Sequence, residues 1–254
     1  ARKGKVPLPY LIYTRNLPWA SSEPMCEAEE AFSISDNQST GYGMAAAVCS
    51  PIAQSKVEIL IVTAASSRTA RYAAHCLASK PISERPPVVV GVTRHEAFVL
   101  SLKIFDHICS YDDVVARDFG RGTVGVLDVA GGPKVMSMLY GRFGTRIKLY
   151  MPIGCASFDL GSTEGLDFNG GAPPMPYDPM RTHGAIYRHL GKAKNEQLQR
   201  ELWTQYKKKM LPLHKVRLHY GAEAVVALVG QLFANKVTPD EIHMCSLWPE
   251  GTEF

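Results

Sequence analysis

The middle of the chain alternates short apolar runs with polar, helix-forming segments. Val57-Glu-Ile-Leu-Ile-Val-Thr63 is apolar and β-branched, the pattern of a strand buried on both faces. A polar turn, Ser66-Ser67-Arg68-Thr69, follows it, and then helix formers over Ala70–Ala78. The breaker Ser83–Pro87 leads to a second such run, Val88–Val92, an expected helix over Glu96–Lys103 and a short run, His107–Cys109. Thr123–Val129 reads as another buried strand, followed by Gly131-Gly132, a helix from about Lys134 to Phe143 and a strand over Arg146–Ile153. Strands alternating with helices of about 10 residues predict β-α-β units and a parallel sheet. Right-handed crossovers then leave a doubly wound topology.

The flanks differ. Residues 1–50 show no period; Pro7, Pro9, Pro18 and Pro24 punctuate them, and Glu23–Glu30 is acidic. They read as an extended arm followed by a packed helix around Thr40–Cys49. Residues 154–180 are rich in Gly, Pro and Asp and are expected to form a long loop, functional or mobile. Thr182–Met210 reads as helical with a break at Gly191, and Ala222–Ala234 as another helix. Glu241–Trp248 is expected as a last strand that extends the sheet. The predicted fold class is α/β: a Rossmann-like doubly wound parallel sheet with a short irregular N-terminal arm and C-terminal helices. The arm and packing helix occupy residues 1–50. The nucleotide-binding domain, with its loop at 154–180, occupies 51–254.

Composition narrows the function classes. With 46% hydrophobic and 20% charged residues among 254, the chain is not disordered, collagenous or a small disulfide scaffold. The excess of 28 basic over 24 acidic side chains is too mild to argue for a nucleic-acid partner. Six cysteines, none in a CxxC pair, indicate a reducing, intracellular compartment, cytoplasmic or organellar. No apolar run reaches the roughly 18 residues of a membrane span. Ala1 in place of Met suggests a processed or trimmed start, and the basic Ala1–Lys5 has no apolar stretch behind it of the signal-peptide kind.

The strongest candidate chemistry lies at the first turn. The start of a helix after a strand offers unpaired N–H groups and the positive end of a dipole, which favour phosphate. Dinucleotide fingerprints place glycines there so that the pyrophosphate can approach the backbone. Here alanine and serine replace them, Ser66, Ser67 and Thr69 add hydroxyls, and Arg68 adds a charge. The competing reading is that Ser66 only caps the helix. At the end of the second strand stand Thr93 and Arg94. An acid here would hold a ribose 2′-OH, whereas arginine accommodates a 2′-phosphate, so NADP is favoured over NAD. Other chemistry is weakly signalled. No cysteine lies near His183 and His189 to complete a zinc set, so no metal is expected. Tyr72 and Tyr206 are followed four places on by Cys76 and Met210, so no Tyr-x-x-x-Lys dyad occurs at either. Cys155 reads as structural more readily than as a reactive thiol, and Lys207–Lys209 as a solvated helix face.

The stretches ILIVTAASSRTARYAAHCL, VVGVTRHEAFVLSLKIFDHICSYDDV and VGVLDVAGG, which begin at Ile59, Val89 and Val124, resemble the nucleotide-binding half of the medium-chain dehydrogenase/reductase superfamily. Within it they look most like the quinone oxidoreductase (zeta-crystallin-like) branch. They are closer still to an uncharacterised family whose first turn reads approximately SASSKTA. The end, HYGAEAVVALVGQLFANKVTPDEIHMCSLW, is similar to the superfamily's closing helix and strand. The likeness spans residues 40–254, but only the first turn and the Thr93–Asp113 segment are specific. It assigns Ser66, Ser67, Arg68 and Thr69 to the pyrophosphate, and Thr93 and Arg94 to the 2′-phosphate. Tyr111 matches a tyrosine that lies along the adenosine phosphate. Asp128 and Gly131 match the strand end near the nicotinamide ribose.

The resemblance implies an NADPH-dependent reductase of quinones or enones in which the protein orients cofactor and substrate, and it names no catalytic residue. The superfamily usually sets a GroES-like barrel ahead of the nucleotide domain, and too few residues precede Val57 to form one. The alternative is therefore a degenerate, non-catalytic relative serving as a structural or accessory subunit of a larger assembly. A third reading is a regulator that senses a dinucleotide. The expected partners are a dinucleotide and, on the alternative reading, other protein subunits.

Overall fold

A computed structural model describes residues 32, 38–50, 57–129, 132–153, 167–175 and 177–248. These fall into two compact units, one within residues 37–206 and one that joins Phe32 to the residues from Lys207 onward.

The first unit is built on five parallel strands in the order β3-β2-β1-β4-β5. They are β1 Ile59–Val62, β2 Val88–Val92, β3 His107–Cys109, β4 Val124–Asp128 and β5 Ile147–Pro152. Every residue of β1 and β4 is buried, as is β2 after Val88, which is why these runs, Asp128 at the end of β4 excepted, are apolar and not alternating. Ile59 lies opposite Val88 on one side and Val124 on the other. The helices of this unit are α1 Gln38–Val48, α2 Arg68–Ala78, α3 Glu96–Leu102, α4 Asp113–Ala116, α5 Pro133–Phe143, α6 Pro179–Leu190 and α7 Lys192–Met210, whose last turn belongs to the second unit. The fold is α/β and Rossmann-like, as the alternation predicts.

Local chemistry sets the helix ends. Asp178 caps α6 by accepting from Arg181 N–H at 2.9 Å, with Pro179 in the first turn. Gly191, at φ +76°, ends α6 and separates it from α7, the break that the sequence marks there. Helix α1 packs against α2 at Gly41, where a Cβ would sit 3.0 Å from the Thr69 carbonyl oxygen. Tyr42 of α1 donates to Asn195 of α7 at 2.8 Å, with both residues buried. After β5 the chain is next described at residue 167. It returns beside β5, with Ala172, Met175 and Tyr177 donating N–H to the carbonyls of Ile147, Tyr150 and Pro152. Residues 154–166, and with them Cys155, lie outside the described residues, as does the arm over 1–31.

The second unit is a β-α-β crossover: β6 Lys215–Tyr220, α8 Ala222–Phe233 and β7 Glu241–Ser246. Here the expectation for the C-terminal strand needs correction. β7 does not extend the five-stranded sheet; it pairs in parallel with β6, from Lys215 opposite Glu241 to Tyr220 opposite Ser246. The reason is local, because β6 and the α8 crossover give β7 its own partner and Leu228 and Ile242 are buried in that unit. No described helix is long and apolar enough to cross a membrane.

Candidate functional site

The strand order reverses between β1 and β4, so the crevice at their carboxyl ends is the place where open α/β sheets bind ligands. The residues singled out in the sequence are carried to this edge by four consecutive strand ends. Ser66–Thr69 follow β1, Thr93 and Arg94 follow β2, Tyr111 follows β3, and Asp128 closes β4. Gly131 lies outside the described residues.

The first turn is tightly bonded. Ala64 adopts a left-handed conformation, φ +46°. Its N–H donates to the Tyr111 hydroxyl at 3.0 Å, and its carbonyl accepts from Ser67 N–H at 2.7 Å. Ala65 N–H donates to Val92 C=O at 3.0 Å. Ser67, in an extended conformation, caps α2 by accepting from Ala70 N–H at 3.3 Å. The cap is thus Ser67 and not Ser66, because the helix begins at Arg68 and not at Ala70. Among the described residues the backbone N–H groups of Ser66 and Thr69 have no hydrogen-bond partner, the state in which a helix N-terminus presents donors to an anion. Ser66, Ser67, Arg68 and Thr69 are all half-buried.

Thr93 is buried; its hydroxyl accepts from His95 N–H at 3.0 Å, and its own N–H donates to Cys109 C=O at 3.0 Å. That second bond ties the end of β2 to the end of β3 and so holds Tyr111 near the first turn. Arg94 is exposed and forms no ion pair with any described residue. Burial pushes the Tyr111 phenol above its ordinary pKa; the Ala64 N–H opposes the shift, Asp128 adds to it and Arg94 opposes it.

Asp128 is buried and its carboxylate sits in a hydroxyl cage. Thr63 donates to Oδ1 at 2.6 Å and Tyr150 donates to Oδ2 at 2.7 Å. Thr63 Oγ1 in turn accepts from Val129 N–H at 3.0 Å. Burial, and then the Asp128 charge, push the Tyr150 phenol far above its ordinary value, so it remains a donor. The Tyr150 ring stacks on Tyr140, with centroids 5.1 Å apart. Thr63 and Tyr150 were not singled out in the sequence. A hydroxyl ending an otherwise apolar strand was the one available sign of Thr63; Tyr150 carried none. Among the described residues no group of three or more His, Cys, Asp or Glu side chains is placed to hold a metal ion.

The structure is similar to a protein from Bacillus thuringiensis assigned as an NADPH:quinone reductase. The TM-score is 0.56 at 19% identity, over 86% of this chain and 65% of that one. Weaker likenesses are to the CurK enoyl reductase (TM-score 0.49, 15% identity, 81% and 60% covered) and to the yhdH oxidoreductase from Salmonella enterica in complex with NADP (0.45, 15%, 82% and 61%). At these identities the likeness is one of fold, and the chain spans less than two thirds of the length of each of these structures. No curated protein matches the sequence. The chain belongs to the family described as "Protein of unknown function (DUF2855)", which matches residues 9–238.

Proposed function

We propose that the chain binds NADPH across the carboxyl edge of its five-stranded sheet and serves as an oxidoreductase of the quinone or enone type. The observation that carries this reading is the convergence of the first turn, the Thr93-Arg94 pair, Tyr111 and Asp128 on the crevice where the strand order reverses. The turn fits a pyrophosphate. Among the described residues two amides lack partners, Ala64 already has the backbone conformation that a fingerprint glycine supplies, and alanine and serine leave little bulk beside the backbone. Ser66, Ser67, Arg68 and Thr69 would hold the pyrophosphate and Arg94 the 2′-phosphate, while the buried Thr93 would fix the strand end that carries Arg94. Asp128 and Gly131 would lie at the nicotinamide end. Bound NADPH supplies the hydride. The residues of the chain bind and orient it, and the Asp128 cage fixes the floor of the crevice. The reaction class follows the resemblance of the turn and of the Thr93–Asp113 segment, since fold alone does not fix function.

The test is calorimetric titration with NADPH and NADH of the wild type and of Arg94→Glu. Micromolar binding with NADPH preferred is expected. The substitution should weaken NADPH by at least about tenfold and NADH by less than about threefold. Equal loss of both would overturn the 2′-phosphate assignment, and no binding of either would overturn the nucleotide reading.

One observation favours the second reading, an accessory subunit. Helix α8 exposes Val226, Val229, Leu232 and Phe233, the last at 85%, and Leu247 and Trp248 are exposed after β7. Grouped apolar exposure of this kind supports a protein partner. Co-purification with a large complex would favour that reading; a stable solitary monomer or homodimer would count against it.

A further inference from the structure

We propose that Tyr111 is a positioning residue for the phosphate turn: by holding the N–H of Ala64, its hydroxyl keeps a non-glycine residue in the left-handed conformation on which the turn depends. The inference rests on the nucleotide reading above and adds to it a residue that sets affinity through the backbone. Four described non-glycine residues have positive φ: Ala64, Lys103, Asn169 and Asn235. Two are asparagines, which tolerate this region, and Lys103 caps the C-terminal end of α3. Ala64 has neither excuse. Its Cβ disfavours φ +46°, and it has no side-chain group to compensate.

Bonds from outside the residue compensate instead. Ser67 N–H reaches the Ala64 carbonyl at 2.7 Å, and Ala65 N–H is held by Val92 at 3.0 Å. The Ala64 N–H itself is held by the Tyr111 hydroxyl, 47 residues further along the chain, at 3.0 Å. The first two bonds belong to the turn and to the neighbouring strand. The third is the only one of the three made by a side chain. It is delivered by β3, whose last residue, Cys109, is tied to Thr93. The Tyr111 oxygen therefore stands where it fixes the direction of the Ala64 peptide, and with it the path to the open amides of Ser66 and Thr69. In a glycine fingerprint the backbone adopts this conformation without help. Here alanine with a tyrosine clasp takes its place. A phenol is protonated at neutral pH and burial moves its pKa further up, so no charge forms beside the phosphate site.

Four proteins test the clasp: wild type, Tyr111→Phe, Ala64→Gly and the double variant. Each is titrated with NADPH and NADH and melted without ligand. Tyr111→Phe should weaken both nucleotides by the same factor, up to about tenfold, because the turn serves the pyrophosphate common to both. Glycine needs no clasp, so the double variant should lose little affinity relative to Ala64→Gly alone, well short of the loss that Tyr111→Phe causes in the wild-type background. Unchanged affinity in Tyr111→Phe would overturn the proposal. So would a double variant as weak as Tyr111→Phe, or a loss confined to NADPH, since either would make Tyr111 a direct contact. If the wild type binds neither nucleotide, the functional reading fails, and the clasp is then judged on melting alone. Non-additive melting shifts in the four proteins would support it, and additive shifts would overturn it.

Discussion

Tyr150→Phe removes one oxygen and leaves the ring that stacks on Tyr140. The lost group donates at 2.7 Å to Oδ2 of the buried Asp128 carboxylate. A hydrogen bond to a charged acceptor contributes about 1.5–3 kcal/mol, and water has little access to replace this one. The expected loss of stability is therefore about 2 kcal/mol, which for a domain of this size lowers the melting midpoint by about 4–8 °C. Urea titration and thermal melting of the purified chain read this directly. Thr63→Val, which removes the donor to Oδ1 and the acceptor for Val129 N–H, should cost at least as much. The decisive comparison is the cycle of Tyr150→Phe with Asp128→Asn, in which the double variant should be less destabilised than the sum of the singles by about 1 kcal/mol or more. A loss below about 0.5 kcal/mol in Tyr150→Phe, together with additive behaviour, would refute the view that the cage holds a buried charge.

The remaining predictions concern thiols and a histidine. Cys109 is buried and burial pushes its thiol up to about 11; Cys49, half-buried, is likewise pushed up to about 11. At pH 8 only about one such thiol in a thousand is thiolate. Iodoacetamide on the native protein should therefore label the exposed Cys245 and leave Cys49, Cys76 and Cys109 largely unmodified; equal labelling of Cys109 and Cys245 would contradict this. Burial lowers the pKa of His183, whose ring lies 3.2 Å from the Ser39 hydroxyl. The folded state then binds fewer protons than the unfolded chain just below the ordinary imidazole value of about 6.5. Stability should be full above that value and decline as the pH falls below it, flattening once the lower folded pKa is passed. The urea midpoint should drop between pH 7.5 and 5.5, and less so in His183→Gln. His243, also lowered by burial, gives the residual slope. An identical drop in wild type and variant would refute the assignment.

The strands of the main sheet were legible because burial on both faces makes them continuous apolar runs, and Val57–Thr63, Val88–Val92 and Thr123–Val129 each stand out against polar neighbours. β6 was not legible in the same way. Lys215-Val-Arg-Leu-His-Tyr220 alternates polar and apolar residues and stays at best half-buried, so a scan for apolar runs passes over it. Without β6 in view, β7 had no partner except the main sheet, which produced the one topological error. Helix α4, only four residues long, leaves too short a pattern to carry a period. At the site, the turn and the Thr93-Arg94 pair were visible because each is a local signal at a strand end. The Asp128 cage was not, since its bonds join residues 65 and 22 positions apart and no local pattern encodes such a contact. The clasp on Ala64 was hidden for the same reason.

The return of residues 172–175 and of Tyr177 beside β5 has a consequence for assembly. A sheet whose last strand is bare can recruit a strand from another molecule, because its backbone groups are unpaired. Here the chain lays its own backbone there, with the Pro174 position bridged to Tyr150 and three amides spent on β5 carbonyls. Pro173 and Pro174 in the added segment have no N–H to offer outward. At that margin β5 carbonyls are already taken by the chain's own backbone, so a strand from another copy has no bare β5 edge to pair with.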